Sequence, residues 1–508
     1  MKEEVGMNRW RPSGTLAAIA AAGMLAVSAS TAMAVSEGSP YTNETGISTA
    51  NVEATMTLNP GLSGQWLYGT YYDVRPVKNG STGATDPQDV NIQILNNNPN
   101  NPGSDGYVAN GGILARVRFR ESKTSREVLD FDIALSCAEV WTAKVELPSG
   151  SGTPRIVSND PIRTQSTGTT FTTSAALVGG KSFSKPVGLT DADIQRGYFE
   201  VIAEEALPCE PADGQVNREG DVWNRILQGD VTPTNALSAE VVLIRVAAGV
   251  SHIYNAEAIS RYIVAGGGDL TFLPSSGRPD LTDCVSKTQS GDGCVDQVNF
   301  ILSKSRVMAQ YDIQNITGGS TRVVFTLPTK NYECSLNAAL SDFNGVASPP
   351  FACQGASGAL GGEQIGCIPY NRLEDYVEGD DIFSPGVDAT VCALPRELSV
   401  VGIVADDSPT SQNVTSISDE IINVTGIPRE HLAGWIDFNL VRDPANPVQV
   451  HQQTGLKVNL LGSFYSRYEG LPALTLILQE YVNANLAPSG VYGGAVPAPY
   501  EVFYAIGS

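Results

Sequence analysis

The sequence predicts an all-β fold made of two β-sandwich domains, immunoglobulin-like or jelly-roll-like, with long loops and few short helices. Apolar and polar residues alternate in short segments from residue 66 to the C-terminus, which is the period of a half-buried strand. Clusters of Gly, Pro and Asn bound these segments. Charged residues make up 17% of the chain, below the ~25% of an average soluble domain, as is typical of secreted β-rich proteins.

The alternating segments predict strands along most of the chain, without an internal repeat that would indicate a propeller or solenoid. The predicted strands are Trp66–Val74, Val90–Leu95, Gly197–Ala203, Ala239–Val246, Arg322–Leu327, Leu398–Val404, Trp435–Val441, Leu456–Leu461 and Leu474–Gln479.

A β-hairpin is the clearest local prediction. Residues 115–120 alternate apolar side chains with arginine, and residues 129–133 alternate apolar side chains with aspartate. The predicted cross-strand pairs are Phe119 with Leu129, Arg118 with Asp130, and Arg116 with Asp132. We expect the apolar set to face the core and the opposite charges to pair on the solvent side, because a slip of one residue would expose every apolar side chain.

Helices are scarce. Thr190–Asp193 predicts an N-terminal capping box that opens a short turn, and Val295–Lys304 predicts one amphipathic helix. The Gly266–Gly268 run, followed by a Pro-, Ser- and Gly-rich stretch, marks the best domain boundary. The predicted organisation is a signal peptide (1–34), an N-terminal β-sandwich (35–268), a disulfide-containing linker (269–294) and a C-terminal β-sandwich (295–508).

The first 34 residues, the leader, predict that the protein is exported. Arg9 and Arg11 precede an apolar run, Leu16–Val27, and small residues at Ala32 and Ala34 form a cleavage site. We expect a location at the cell surface or outside the cell, with the periplasm as an alternative. No later stretch approaches the ~20 apolar residues of a membrane helix, so no transmembrane segment is predicted in the mature chain.

The chain has an even number of cysteines, which in an exported protein favours disulfides over free thiols or metal ligands. The predicted disulfide cysteines are Cys137, Cys209, Cys284, Cys294, Cys334, Cys353, Cys367 and Cys392. We expect Cys137 to pair with Cys209 and Cys284 to pair with Cys294, and we leave the other pairings open.

The formal charge of −22 repels phosphate backbones, so nucleic acid is not an expected partner. Five acids between residues 374 and 381 form either a solvated loop or a weak calcium site, since hard cations take oxygen ligands. Their spacing does not match an EF-hand loop. These acids are Glu374, Asp375, Glu378, Asp380 and Asp381. No other metal or cofactor is predicted.

No catalytic residue is predicted, because the chain lacks the motifs of zinc proteases, nucleophile elbows, phosphate loops and dinucleotide sites. The three histidines, His252, His431 and His451, stand apart in sequence. Asp130, Asp132 and Asp437 are weak candidates for a glycosidase carboxylate pair, and we favour a structural role for them.

Aromatic residues near the first predicted strand allow a different function. Tyr68, Tyr71 and Tyr72 lie close together and predict either a sugar-stacking platform or ordinary core packing.

Five stretches resemble a group of uncharacterised exported proteins of Gram-negative bacteria that are described as cell-surface proteins. The matching stretches are Arg116–Glu121, Ser125–Phe131, Gly197–Ile202, Phe325–Lys330 and Phe383–Pro385. Cys137 departs from that group's pattern. The resemblance implies a fold and a location, and it implies no active-site residue.

The function that these observations favour is that of an exported, non-enzymatic surface or extracellular protein with a structural or adhesive role. Its expected partners are other surface proteins, further copies of itself, or glycans. The alternative is a secreted protein that binds or cleaves carbohydrate.

Overall fold

The structure is a computed structural model of the 508-residue chain, and it is nearly all β. It describes residues 57–60, 63–78, 85–98, 111–160, 166–167, 170–171, 177–207, 233–246, 249–260, 262, 298–299, 301–314, 319–332, 363–371, 391–394, 396–405, 421–427, 432–441, 452–458, 464–483, 490–498, 500–501 and 503–506.

The first half of the chain contributes sixteen of the described strands. They are β1 (Thr57–Pro60), β2 (Trp66–Asp73), β3 (Val77–Lys78), β4 (Thr85–Asp86), β5 (Asp89–Asn96), β6 (Gly112–Glu121), β7 (Glu127–Leu135), β8 (Val140–Glu146), β9 (Arg155–Val157), β10 (Ser166–Thr167), β11 (Thr170–Phe171), β12 (Lys181–Ser182), β13 (Arg196–Leu207), β14 (Leu237–Arg245), β15 (Val250–Asn255) and β16 (Glu257–Ser260). A short helix, α1 (Asp191–Ile194), precedes β13.

The second half contributes fifteen more. They are β17 (Ser303–Lys304), β18 (Arg306–Asp312), β19 (Gly319–Thr326), β20 (Glu363–Asn371), β21 (Val391–Leu394), β22 (Leu398–Ala405), β23 (Ile421–Ile427), β24 (Ala433–Asn439), β25 (Gln452–Val458), β26 (Phe464–Glu469), β27 (Leu471–Pro472), β28 (Leu474–Asn483), β29 (Gly490–Pro497), β30 (Tyr500–Glu501) and β31 (Phe503–Ile506).

Four large sheets carry most of these strands. Sheet 1 has the order β1-β16-β2-β13-β6-β7, sheet 2 has β12-β9-β8-β5-β14-β15, sheet 3 has β23-β22-β19-β28-β29, and sheet 4 has β21-β20-β24-β18-β30. Pairing within them is antiparallel except between β22 and β23, which run parallel. The small sheets are β3-β4, β10-β11, β17-β27 and β25-β26-β31.

Two apolar cores lie between the sheets. The first includes residues of sheets 1 and 2, where the rings of Phe131 and Trp141 lie 5.6 Å apart. The second includes residues of sheets 3 and 4, where Phe325 meets Phe438 edge to face at 5.1 Å. Period-two alternation explains both, since each strand gives one set of side chains to a core.

The predicted strands are confirmed where the structure describes them, and so is the hairpin register; residues 459–461 of the predicted strand Leu456–Leu461 lie outside the described residues. In the β6–β7 pair, Phe119 lies opposite Leu129, and Arg118 and Arg116 lie opposite the two aspartates. The predicted exposure of the charged face is wrong: Arg116, Arg118 and Asp132 are fully buried. The physical reason is that β13 runs beside β6 and supplies further acidic residues to the same face.

The helical predictions have mixed outcomes. Thr190 caps α1, and its hydroxyl and the Asp193 carboxylate form the predicted capping box. The predicted helix at 295–304 is too long at its C-terminal end, because residues 303–304 form β17 and pair with β27.

Residues 53–508 form one compact unit. The first core also contains Val324, Val400 and Leu476 from sheet 3, so residues on both sides of the expected boundary share it. Most of the linker predicted at 269–294 lies outside the described residues, and the two-domain division stays a prediction. Among the described helices, none is long and apolar enough to cross a membrane.

Candidate functional site

Charged side chains form a ladder on the face of sheet 1 that points away from sheet 2. Arg116 binds the Asp132 carboxylate and lies 3.2 Å from Glu204, and all three side chains are fully buried. Asp130 lies farther away, at 3.6 Å from Arg116. Because charges are costly to bury unless they are paired, each rung of the ladder carries its own counter-charge.

The next rungs use acids on both neighbouring strands, since Glu200 on β13 lies opposite Arg118 and Glu127 on β7 lies opposite Arg120. Nε of Arg118 lies 3.0 Å from Glu127, and its Nη1 lies 3.6 Å from Glu200. Arg120 donates to Glu200 at 2.9 Å and to the hydroxyl of Tyr332 at 3.0 Å. Tyr332 follows β19 in the chain, so the ladder reaches from the first half of the protein to the second.

Burial and charge shift the titration of this ladder. Burial and the neighbouring Glu127 raise the pKa of Asp130 to about 7, although Arg116 and Arg118 oppose the rise. Burial alone would lower the pKa of Arg116, but Glu204 and Asp132 outweigh it and raise that pKa. Arg116 therefore stays charged, and the pKa of Asp130 lies near neutral pH.

The turn between β6 and β7 inserts against the second half of the chain. The Glu121 carboxylate accepts hydrogen bonds from the backbone amides of residues 123, 124 and 126. Ser125 has a φ of 53° and gives its carbonyl to Arg120 at 2.8 Å. The backbone amide of Leu398 donates to the carbonyl of Ser122 at 2.9 Å, so the turn is held from both sides.

Beyond this turn lies a second buried cluster. Nζ of Lys330 lies 2.8 Å from Oε1 of Glu363, and both side chains are fully buried. Glu397 is fully buried as well. Burial raises the pKa of Glu397 to about 8, and a hydrogen bond to Ser125 and the charge of Lys330 oppose the rise. We call Lys330, Glu363 and Glu397 the junction cluster.

A third buried cluster joins sheet 2 to sheet 3. Glu480 on β28 lies 2.5 Å from Arg245 on β14 and also binds Arg322 on β19. His252 on β15 lies 3.1 Å from the same carboxylate. Burial alone would raise the pKa of Glu480, but Arg322, the hydrogen bond to His252 and Arg245 hold it well below its usual range. We call these four residues the Glu480 clamp.

The positions of the tyrosines near the first predicted strand do not support their interpretation as a sugar-stacking platform. Tyr68, Tyr71 and Tyr72 are all buried, and the pairing of β2 with β13 contains a bulge between Tyr68 and Tyr72. Tyr72 meets Phe119 edge to face at 5.6 Å, and the Tyr71 hydroxyl donates to Asp73 at 2.6 Å. Core packing, the other interpretation of these tyrosines, accounts for all three.

A different aromatic pair lies on the face of sheet 4 that points away from the second core. Tyr370 and Trp435 are cross-strand partners whose rings stack 3.9 Å apart at 4°. Both are half-buried. The guanidinium of Arg306 lies 5.9 Å from the Trp435 ring, and its Nε donates to Asp437 at 2.7 Å. Asp437, a predicted glycosidase candidate, is thus the partner of an arginine.

The other predicted site residues divide between described and undescribed parts of the chain. Cys137 and Cys367 are both in the disulfide-bonded form, and none of the described cysteines is free. The acidic segment at 374–381, His431 and His451 lie outside the described residues, as do the expected disulfide partners Cys209, Cys284 and Cys294. Within the described part, no group of three or more His, Cys, Asp or Glu is placed to hold a metal ion.

Reasoning from the sequence missed the junction cluster and the Glu480 clamp. Both are assembled from single charged residues on separate strands, and the only local signal is an isolated charge within an apolar strand, such as Arg322 or Glu480. Comparison with protein-family models, curated proteins and solved structures finds no match to this chain.

Proposed function

We propose that this chain is an exported, non-enzymatic protein of the cell surface or the extracellular space, with a structural or adhesive role. The observation that carries the proposal is that its buried charged side chains pair with one another. In the ladder and in the Glu480 clamp, buried arginines and carboxylates bind one another. Such networks hold sheets in fixed positions.

The cysteines support the proposed location. Disulfides persist in oxidising compartments outside the cytosol, and both cysteines with described side chains are disulfide-bonded. Together with the leader, they favour a protein that folds after export.

Surface labelling of intact cells tests this proposal. The full chain is expressed with and without residues 1–34, and intact cells are treated with a membrane-impermeant biotin reagent. We expect labelling of the full chain only. A full chain that stays unlabelled in intact cells and becomes labelled only after lysis would contradict a surface location.

The structural or adhesive role has a separate test. The purified protein is applied to cells and examined by size exclusion over a range of concentrations. We expect self-association or binding to cells. A monodisperse monomer at high concentration that binds no cells would oppose the proposal.

Carbohydrate binding is the second candidate, and the Tyr370–Trp435 pair favours it. Aromatic rings beside polar side chains are suited to hold sugars through stacking and hydrogen bonds, and Gln310 is the cross-strand neighbour of Trp435 on the other side. A glycan array with the wild-type protein and a Trp435→Ala variant tests it. We expect signals that the variant loses, and silence of the wild type on a broad panel would remove this candidate.

A further inference from the structure

The face of sheet 2 that points away from sheet 1 carries a strip of apolar side chains on β14 and β15. Val242 lies opposite Ile253 in this pair of strands, and Ile244 lies opposite Ser251. Ile253 is 51% exposed, and Val246, which directly follows β14, is 75% exposed. The alternate residues of β14 are buried in the first core, so the strip lies on the solvent side of the strand. We call Val242, Ile244, Val246 and Ile253 the apolar strip.

The charged residues of the same face nearly balance one another. Lys144 on β8 lies 3.7 Å from Asp89 on β5 and also binds Glu146. Arg155 on β9 lies 2.6 Å from the same Glu146. Glu240 on β14 adds one exposed acid, so the described strands carry two cations and three acids on this face. The whole chain has a formal charge of −22.

This balance of charge indicates where a second copy can approach. Two molecules of the same large charge repel each other over most of their surfaces. The repulsion is weakest where each surface is close to neutral, and on this face the near-neutral surface lies beside exposed apolar side chains. Burial of those side chains against a partner removes apolar area from water, which favours association.

The face is large enough for a weak contact between two copies. Neighbouring strands lie ~4.8 Å apart and rise ~3.4 Å per residue. The strands β9, β8, β5, β14 and β15 therefore present a face of roughly 24 Å by 24 Å, on the order of 600 Å². A standard stable interface buries about 800 Å² per partner, and smaller interfaces belong to transient contacts. The size of the face fits a reversible dimer.

We propose that this face of sheet 2 binds the same face of a second copy of the chain, with the apolar strip of one copy packed on the strip of the other. A twofold contact uses one patch on both copies, and sheets that pack face to face bury the facing side chains of both. The inference rests on the proposed function, because it names the partner and the surface through which a structural or adhesive protein associates with itself.

Sedimentation velocity of the purified full chain over a range of concentrations tests the proposal. We expect a reversible dimer of the wild type that becomes stronger with added salt, because salt screens the repulsion between two chains of charge −22. Ile253→Lys places like charges against each other in the dimer and should raise the Kd by at least about tenfold. Val187→Lys is the matched control, since it adds the same charge at a residue that is 94% exposed outside the strands of sheet 2, and it should keep the wild-type Kd.

A mixture of two variants tests whether the strip packs on itself. Ile253→Asp should also weaken association. An equimolar mixture of Ile253→Lys and Ile253→Asp should form mixed dimers, because opposite charges then face each other across the contact. Recovery in the mixture also shows that both variants are folded. A mixture that stays as monomeric as its components would overturn the packing of strip on strip.

Two further outcomes separate this inference from the proposed function. If Ile253→Lys associates as strongly as the wild type, the proposed face is wrong, and self-association through another surface still supports a structural role. If the wild type stays monomeric at every concentration and at high salt, the inference is overturned. Binding of the protein to cells, measured separately, then decides whether the adhesive role stands.

Discussion

Nε2 of His252 lies 3.1 Å from Oε1 of Glu480, and this contact joins an edge strand of sheet 2 to a central strand of sheet 3. Nδ1 of the same ring lies 3.1 Å from the carbonyl oxygen of Gly494 on β29. One imidazole thus contacts two neighbouring strands of the other half. A single substitution in the Glu480 clamp therefore affects contacts between the two halves.

Replacing Glu480 with alanine is expected to lower the free energy of unfolding by about 3–5 kcal/mol, because it leaves two buried arginines without their counter-charge. Chemical denaturation near neutral pH measures this. Glu240→Ala is the matched control, since Glu240 is exposed on β14, the same strand as Arg245, and should change stability by less than about 0.5 kcal/mol. Equal losses in the two variants would mean that the clamp contributes nothing of its own.

The ladder predicts strong coupling between Arg116 and Asp132. Each single change, Arg116→Met or Asp132→Leu, should cost about 3–5 kcal/mol by leaving a buried charge unpaired. The double variant should cost less than the sum, with a coupling of about 0.5–3 kcal/mol in a double-mutant cycle.

The half-exposed pair of Arg155 and Glu146 provides the comparison for that cycle. Nη2 of Arg155 lies 2.6 Å from Glu146, with 37% of the arginine side chain exposed. A coupling of about 0–1 kcal/mol is expected there. Additive single changes at Arg116 and Asp132 would show that the ladder does not act as paired charges.

Glu397 predicts a particular dependence of stability on pH. Its pKa rises from 4.5 to about 8 in the folded chain, so between these values the folded state keeps a proton that the unfolded state has lost. Stability should therefore fall as the pH rises from 4.5 to 8, by up to ~1.4 kcal/mol per pH unit for this one group.

Denaturation curves from pH 5 to 8 give the free energy of unfolding at each pH for the wild type and for Glu397→Gln, and the two pH slopes are compared. The variant should show a shallower fall. Asp191→Asn serves as the control, because the Asp191 side chain is 46% exposed, and it should keep the wild-type slope. Parallel curves for the wild type and Glu397→Gln would rule out titration of Glu397 in this range.

Gly197 stands where β13 passes between β2 and β6. An added Cβ would lie 1.9 Å from the carbonyl oxygen of Arg120, which is backbone and cannot move aside. Gly197→Ala should destabilise the protein by an amount at the upper end of about 1–3 kcal/mol. Gly494→Ala has nothing within 4 Å of its Cβ and should change the melting temperature little. Similar melting temperatures for the two variants would contradict the close approach.

The sequence predicts the strands well because alternation is a local property. The β6–β7 register follows from charge and apolar complementarity within twenty residues. The burial of that face does not follow, because it depends on Glu200 and Glu204 of β13, far along the chain. Glu200 and Glu204 are four residues apart, whereas the arginines of β6 are two apart. Ile202 rather than an acid lies opposite Arg116, so the two sequences show no residue-for-residue match of charge.

The candidate sites also divide into features that the local sequence indicates and features that depend on distant strands. The three tyrosines near β2 form a conspicuous group in sequence, yet a bulge in the pairing of β2 interrupts the alternation between them. Lys330, Glu363 and Glu397 are unremarkable in sequence and meet only when β19, β20 and β22 are in place. Contacts between residues so far apart depend on the pairing of whole strands, which no local pattern specifies.

The Glu480 clamp also sets an order of events during synthesis. Arg245 and His252 leave the ribosome long before Glu480 does, so both residues meet this partner only after β28 of sheet 3 has been synthesised. Non-local partners of this kind slow folding, and they make a prematurely terminated chain unable to close sheet 2 against its neighbour. The native contacts of β14 and β15 in the clamp thus form only after β28 has been synthesised.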